Sequence, residues 1–195
     1  MFLFSDIKKD IADIKKYLLK RQNNFDKILN ESKLIVREAA ELITMVHNIN
    51  LNSKKAMQNK LKYLEKRVKN LKRIDKEFEY YTLQAYQEYV EAKLFFEIKI
   101  NNKFLSHSSI NIRPEAYLLG LLDLVGELNR EFIDSLRKSN IKIAETYLDI
   151  MIEISDLTRP LRFSSALIPD IRKKQDVSRI LIEHASNELL LYKKN

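Results

Sequence analysis

The chain has 195 residues, two glycines and three prolines, and it is rich in Leu, Ile, Lys and Glu, a composition of long helices rather than short strands. It contains no cysteine, which excludes disulfides, zinc–thiolate sites and thiol nucleophiles. Its net charge of +8 favours a polyanionic partner, either nucleic acid or an acidic membrane face, without choosing between them.

The opening MFLFSDIKKD sets its apolar stretch before any charge and lacks a small-residue cleavage site, so it does not resemble a secretory signal. No segment reaches the roughly 18 uninterrupted apolar residues of a membrane span, and the expected location is the cytoplasm. Ser5-Asp6 can cap a first helix, along which Ile7, Ile11, Ile14, Leu18, Phe25, Ile28 and Leu29 recur at helical spacing toward Met45. That helix is expected to be very long, with a kink near Asn23-Asn24, and to break over Asn48–Ser53. Met57, Leu61, Leu64, Val68 and Leu71 then alternate in steps of four and three, the seam of a second helix ending near Ile74.

A third helix is predicted from about Lys76 to Ile100, ended by Asn101-Asn102, followed by a polar loop from Lys103 to Arg113. Pro114 suits the first turn of a fourth helix, Ser139-Asn140 precedes a fifth over Ile141–Ile154, and Pro160 is placed in the first turn of a short sixth. Pro169-Asp170 starts the last, which ends near Tyr192. The expectation is an all-α bundle or superhelix of seven helices in one domain, residues 1–195, with no linker long enough to divide it. His47, His107 and His184 are scattered and assemble no triad, so they are expected to be structural.

The carboxylates carry the chemistry. In QEYVEA, residues three apart put Glu88 and Glu91 on one helix face; in AYLLGLLDLVGEL, residues four apart put Asp123 and Glu127 on one face of theirs. Every other residue from Tyr117 to Leu128 is apolar or glycine, which implies burial of this helix on most sides. A buried carboxylate costs several kcal/mol unless its charge is neutralised. Two readings stay open. Arg130 could pair with Glu127, and Lys93 or a lysine from another helix with Glu91, in a structural salt-bridge network, or all four acids could converge on Mg²⁺ or Mn²⁺ and so polarise a phosphodiester. Gly120 and Gly126 bracket Asp123 and would admit another helix or a ligand at close range.

In the second helix Lys62, Lys66, Lys69, Arg73 and Lys76 form one positive stripe opposite the apolar seam, either a solvated face or a phosphate-binding surface. Tyr63, Tyr80, Tyr81, Tyr86 and Tyr89 could stack on unpaired bases or simply pack between helices.

With QEYVEA, YLLGLLDLVGEL and the following FIDSLRKSN in view, the chain resembles the translin family, and within it translin-associated factor X more than translin itself. The resemblance implies a seven-helix superhelical subunit that assembles into a closed octamer holding nucleic acid inside. It further implies an endoribonuclease, dependent on Mg²⁺ or Mn²⁺ and preferring single-stranded RNA. Glu88 and Glu91 match the two acids of that branch's Gln-Glu-Tyr-Val-Glu-Ala, where translin has basic and histidine residues. Asp123 matches the aspartate, and Glu127 the closing glutamate, of its Leu-Gly-x-x-Asp-Leu-x-Gly-Glu-Leu. Lys62, Lys66, Lys69 and Arg73 fall where translin carries a basic nucleic-acid-binding segment. The alternative is a non-catalytic oligomer that binds single-stranded RNA or DNA and uses its carboxylates structurally; a helical scaffold for a protein partner would show no RNA affinity beyond what charge supplies.

Overall fold

A computed structural model describes residues 4–49 and 53–194. Among these residues there are seven helices and no strand: α1 (Phe4–His47), α2 (Lys54–Leu71), α3 (Glu79–Asn101), α4 (His107–Ile110), α5 (Pro114–Arg137), α6 (Ile141–Thr158) and α7 (Ile171–Lys194). None of them is long and apolar enough to cross a membrane. The fold is all-α, as the composition predicts.

Helix α3 lies at the centre, packed against α1, α5 and, less extensively, α2; α5 in turn carries α6 and α7. This order follows from the apolar patterns. The predicted seam of α2, Met57 to Leu71, is buried at every position, whereas α3 buries Tyr86, Tyr89, Val90, Leu94, Phe95 and Phe96 on several sides, as a helix enclosed by others must. The chain reverses where its residues demand it. Ser53 accepts a hydrogen bond from the Ala56 amide at 3.1 Å and caps α2, and Asn102 closes α3 in the left-handed conformation at φ 51°. Of the expected break at Asn48–Ser53, residues 50–52 lie outside the described residues.

Helix α1 is one continuous helix across Asn23-Asn24, as its expected length requires. Several expectations need correction. Helix α2 stops at Leu71, and α3 starts at Glu79 rather than Lys76, because buried Asp75 pins the intervening turn: it accepts from Tyr86 Oη at 2.6 Å and Thr82 Oγ1 at 3.1 Å. The polar loop contains the short α4, capped by Ser106. Among the described residues, no short helix starts at Pro160; the next helix is α7. Instead α6 extends to Thr158 and Pro160 ends it, since its ring cannot donate the next backbone hydrogen bond. Gln175 of α7 takes over there, donating to the carbonyls of Thr158 (2.7 Å) and Leu161 (3.1 Å).

The two glycines of α5 do different things. A Cβ on Gly120 would stand 2.6 Å from the Gln87 carbonyl oxygen and 2.8 Å from Val90 Cβ, so the glycine permits the close α3–α5 contact. Gly126 has open space around its would-be Cβ. Gly120→Ala should therefore cost about 2 kcal/mol by forcing α3 and α5 apart, while Gly126→Ala should be neutral or stabilise by up to about 1 kcal/mol. Denaturant midpoints of the two variants test this, and equal effects would refute it.

Residues 4–23 of α1 are all exposed. Ile7, Ile11, Ile14 and Leu18, spaced four, three and four apart, are each 51–59% accessible, on the same line that further along buries Ile28, Ile35, Leu42 and Val46. The protein thus carries an apolar seam about 20 residues, or about 30 Å, beyond the body that buries the rest of it.

Candidate functional site

The contact at Gly120 brings the acidic faces of α3 and α5 together. Glu88 and Glu91 of α3 and Asp123 of α5 line one cavity of about 430 Å³, whose far wall is the first half of α7 with Lys173 and Lys174. Gly126 opens onto the same space. Asp123 has a partner for each oxygen: Lys174 Nζ pairs with Oδ1, and Gln87 Nε2 donates to Oδ2 at 2.6 Å. Among the described residues, Glu91 has no hydrogen-bond or ion-pair partner, although it is only 8% exposed.

The electrostatics follow from this crowding. Burial, then the negative charges of Asp123, Glu88 and Glu127, push the Glu91 carboxyl up to about 9. Burial, followed by Asp123, also raises Glu88. Lys174 is the basic group that opposes both shifts.

Glu127 does not line the cavity. Its Oε2 is paired with His47 Nε2, and His47 Nδ1 donates to Glu131 Oε1 at 2.6 Å, where Lys99 Nζ also donates at 2.5 Å. The imidazole is buried, with its ring 4.6 Å from that of Phe95. Two carboxylates can be served by two ring N–H groups only if the ring is an imidazolium. Burial opposes that charge, but the hydrogen bonds from Glu127 and Glu131 outweigh it, and the His47 pKa stands above its ordinary value. His47 thus sits where a structural histidine is expected, buried and paired on both nitrogens, and one of its two partners is the last of the four acids.

The salt bridges suggested by the sequence do not form. Lys93 donates to Glu65 at 2.6 Å rather than pairing with Glu91, and Glu127 pairs with His47 rather than Arg130. Nor, among the described residues, are three acids or histidines already gathered around one point as a preformed metal cage. The arrangement is an acid-lined cavity in which Lys174 pairs with one of the three acids, Asp123.

Comparison with known proteins places this geometry. The translin family model matches residues 4–185. The chain belongs to the translin family. It is 29% identical over 182 residues, 92% of this chain and 81% of the relative, to the uncharacterized protein MJ0175 of Methanocaldococcus jannaschii. Its fold matches apo-NeC3PO with a TM-score of 0.83 at 19% identity, over 93% of this chain and 96% of that one. AfC3PO superposes with a TM-score of 0.82 at 26% identity, over 94% of this chain and 97% of that one. The AfC3PO–duplex RNA complex gives the same TM-score and identity, over 94% and 96%.

In this translin-family chain Lys62, Lys66 and Lys69 are exposed on α2, but α2 ends at Leu71, so Arg73 and Lys76 fall in the following turn rather than continuing one helical stripe, and none of Lys62, Lys66, Lys69 and Arg73 lines the acidic cavity. Lys69 and Arg73 line a separate cavity of about 390 Å³ with Lys72 and Tyr89. The cations that do face the acids, Lys173 and Lys174, went unpredicted. Their signal was present: Arg172, Lys173 and Lys174 stand in the first turn of α7, at the positive end of a helix dipole where cations are disfavoured.

Proposed function

We propose that this chain is a metal-dependent endoribonuclease that binds single-stranded RNA, acts as a homo-oligomer and lies nearer to translin-associated factor X than to translin. The observation that carries the proposal is Glu91, a buried carboxyl with no cationic partner, lining one cavity together with Glu88 and Asp123. A ligand set made only of carboxylate oxygens suits a hard divalent cation, and the open space at Gly126 leaves room for the substrate. Glu88, Glu91 and Asp123 are the residues that would hold Mg²⁺ or Mn²⁺, which supplies Lewis acidity and an activated water. Glu127, fixed by His47, either completes that set or orients a water. Lys173 and Lys174 attract the phosphate backbone into the cavity, and Lys62, Lys66, Lys69 and Arg73 hold flanking phosphates, so binding weakens steeply with salt.

RNA binding is the part of this reading that the AfC3PO–duplex RNA complex supports at family level. Cleavage is tested by incubating the purified protein with labelled single-stranded RNA and Mg²⁺ or Mn²⁺, beside EDTA and beside Glu88→Ala/Glu91→Ala. The expected result is cleavage that disappears in both controls. RNA bound but uncut under either metal would replace this reading with the second one, a non-catalytic oligomer binding single-stranded RNA or DNA. The Lys174–Asp123 and His47–Glu127 pairs favour that alternative, since they neutralise two of the acids without any metal.

Assembly into the family's closed octamer requires a surface, and the exposed seam of α1 supplies one. A second copy's seam is a fitting cover, because a parallel pair would also set Asp10 of one chain near Lys15 of the other. Ile11→Asp/Ile14→Asp should shift the mass seen by light scattering toward a smaller species. An unchanged mass would remove α1 from the interface.

A further inference from the structure

A second cavity, of about 480 Å³, adjoins the acidic one and shares three wall residues with it: Gln87, Asp170 and Lys174. Its character is different. Leu83, Leu119 and Pro169 make an apolar floor, and Tyr80 and Tyr81 stand at its edge. The two tyrosines differ in how they are held. Tyr81 is clasped by Phe25 of α1, ring centroids 4.9 Å apart at 84°, while Tyr80 meets Tyr81 edge-on at 5.6 Å and is itself 77% exposed. An anchored ring thus supports an outer, largely exposed ring beside a roomy, partly apolar hollow. A single exposed tyrosine needs no explanation. One braced by a second ring, at the mouth of a cavity that opens beside a lysine and a carboxylate cluster, has the make-up of a nucleotide subsite.

We infer that this hollow is a nucleobase-binding subsite, in which Tyr80 stacks on an unpaired base while Lys174 takes the adjoining phosphate at the acidic cavity. The inference rests on the RNA reading above and deepens it by naming what recognises a single strand. The volume falls within the range that holds ligands of nucleotide size. Gln84 and Gln87 offer amide donors and acceptors to base edges, and Asp170 offers an acceptor to an exocyclic amine or a ribose hydroxyl. A base inside a duplex is already stacked and paired, so it cannot enter without being unstacked. The subsite therefore selects single strands, and it fixes the strand's path: base over α3 near Tyr80, phosphate toward Asp123.

The test uses the full chain in EDTA, so that cleavage plays no part, and a short RNA carrying one 2-aminopurine, whose fluorescence is quenched when it stacks on an aromatic ring. Tyr80→Ala should weaken single-strand binding about tenfold, the worth of one stacked base, and abolish the quench. Tyr80→Phe, which keeps the ring, should behave as the parent does, and binding of the same RNA annealed to its complement should be unchanged. An affinity of Tyr80→Ala within about twofold of the parent, a persisting quench, or an equal loss on the duplex would each overturn the subsite. If the parent fails to bind single-stranded RNA at all, the RNA reading falls with it. Loss of binding in Tyr80→Ala alongside a parent that never cleaves under Mg²⁺ or Mn²⁺ would uphold the subsite and sink the nuclease.

Discussion

Glu91→Gln should make the protein more stable and, at the same stroke, unable to cut RNA. In the fold the Glu91 carboxyl is pushed up to about 9 from 4.5, so the folded state keeps a proton that the unfolded chain releases. The sign is then fixed. Below pH 4.5 both states hold the proton and the group costs nothing; from there to about 9 the cost grows, and above that it is constant. Glutamine never bears the charge, so its advantage over glutamate should be absent in acid, about 3 kcal/mol at neutral pH and larger in mild alkali. Denaturant melts in EDTA at several pH values measure the gap. A variant less stable than its parent at neutral pH would mean that Glu91 is ionised and paired. Saturating Mg²⁺ or Mn²⁺ should narrow the gap, since a ligand that binds only the native parent stabilises only the parent. Cleavage by Glu91→Gln should fall at least about a thousandfold if the carboxylate holds the ion. A residue that destabilises the fold where it sits is held there by something other than stability.

That cost was legible in the sequence, and its neutralisation was not. Helical spacing alone paired Glu88 with Glu91 and Asp123 with Glu127, and the apolar run around Asp123 announced burial. The α2 seam and the stops at Asn102 and Ser139-Asn140 came from the same local rules, which act within one or two turns. What local rules cannot supply is the partner from a distant helix. Lys174 reaches Asp123 across 51 positions and His47 reaches Glu127 across 80, and no spacing pattern links them. The misplaced short helix at Pro160 has a related cause: proline fits both the first turn of a helix and the residues just past the end of one, and Gln175 of α7, 17 positions from the Thr158 carbonyl it binds, decided for the end. Glu127 shows the limit most clearly. It was expected to converge with the other three acids, yet it does not line their cavity, because His47, with no spacing pattern to announce it, turns its carboxylate toward α1.

His47→Ala should be the most destabilising single change in the site, at about 3 kcal/mol, because it strips a buried charged network of its middle member. Glu131 is held below the usual carboxylate range: burial raises it, but the hydrogen bonds of His47 and Lys99 outweigh that, so losing the imidazolium leaves Lys99 alone to serve it. The pH dependence runs opposite to that of Glu91. The His47 pKa is raised in the fold, so its contribution is fully present below about 6.5 and fades as pH climbs through the folded value. The gap between parent and His47→Ala should therefore shrink in alkali while the gap between parent and Glu91→Gln widens. Function separates the two as well. His47 touches no substrate and acts through Glu127, so cleavage should drop by about ten- to a hundredfold, the usual effect of removing a group that orients a ligand, rather than vanish. His47→Gln, which retains one side-chain donor, should recover part of both losses. A variant that melts and cleaves like its parent would show that Glu127 needs no such clamp, and the role of Glu127 in the site would then rest on its position in α5 alone.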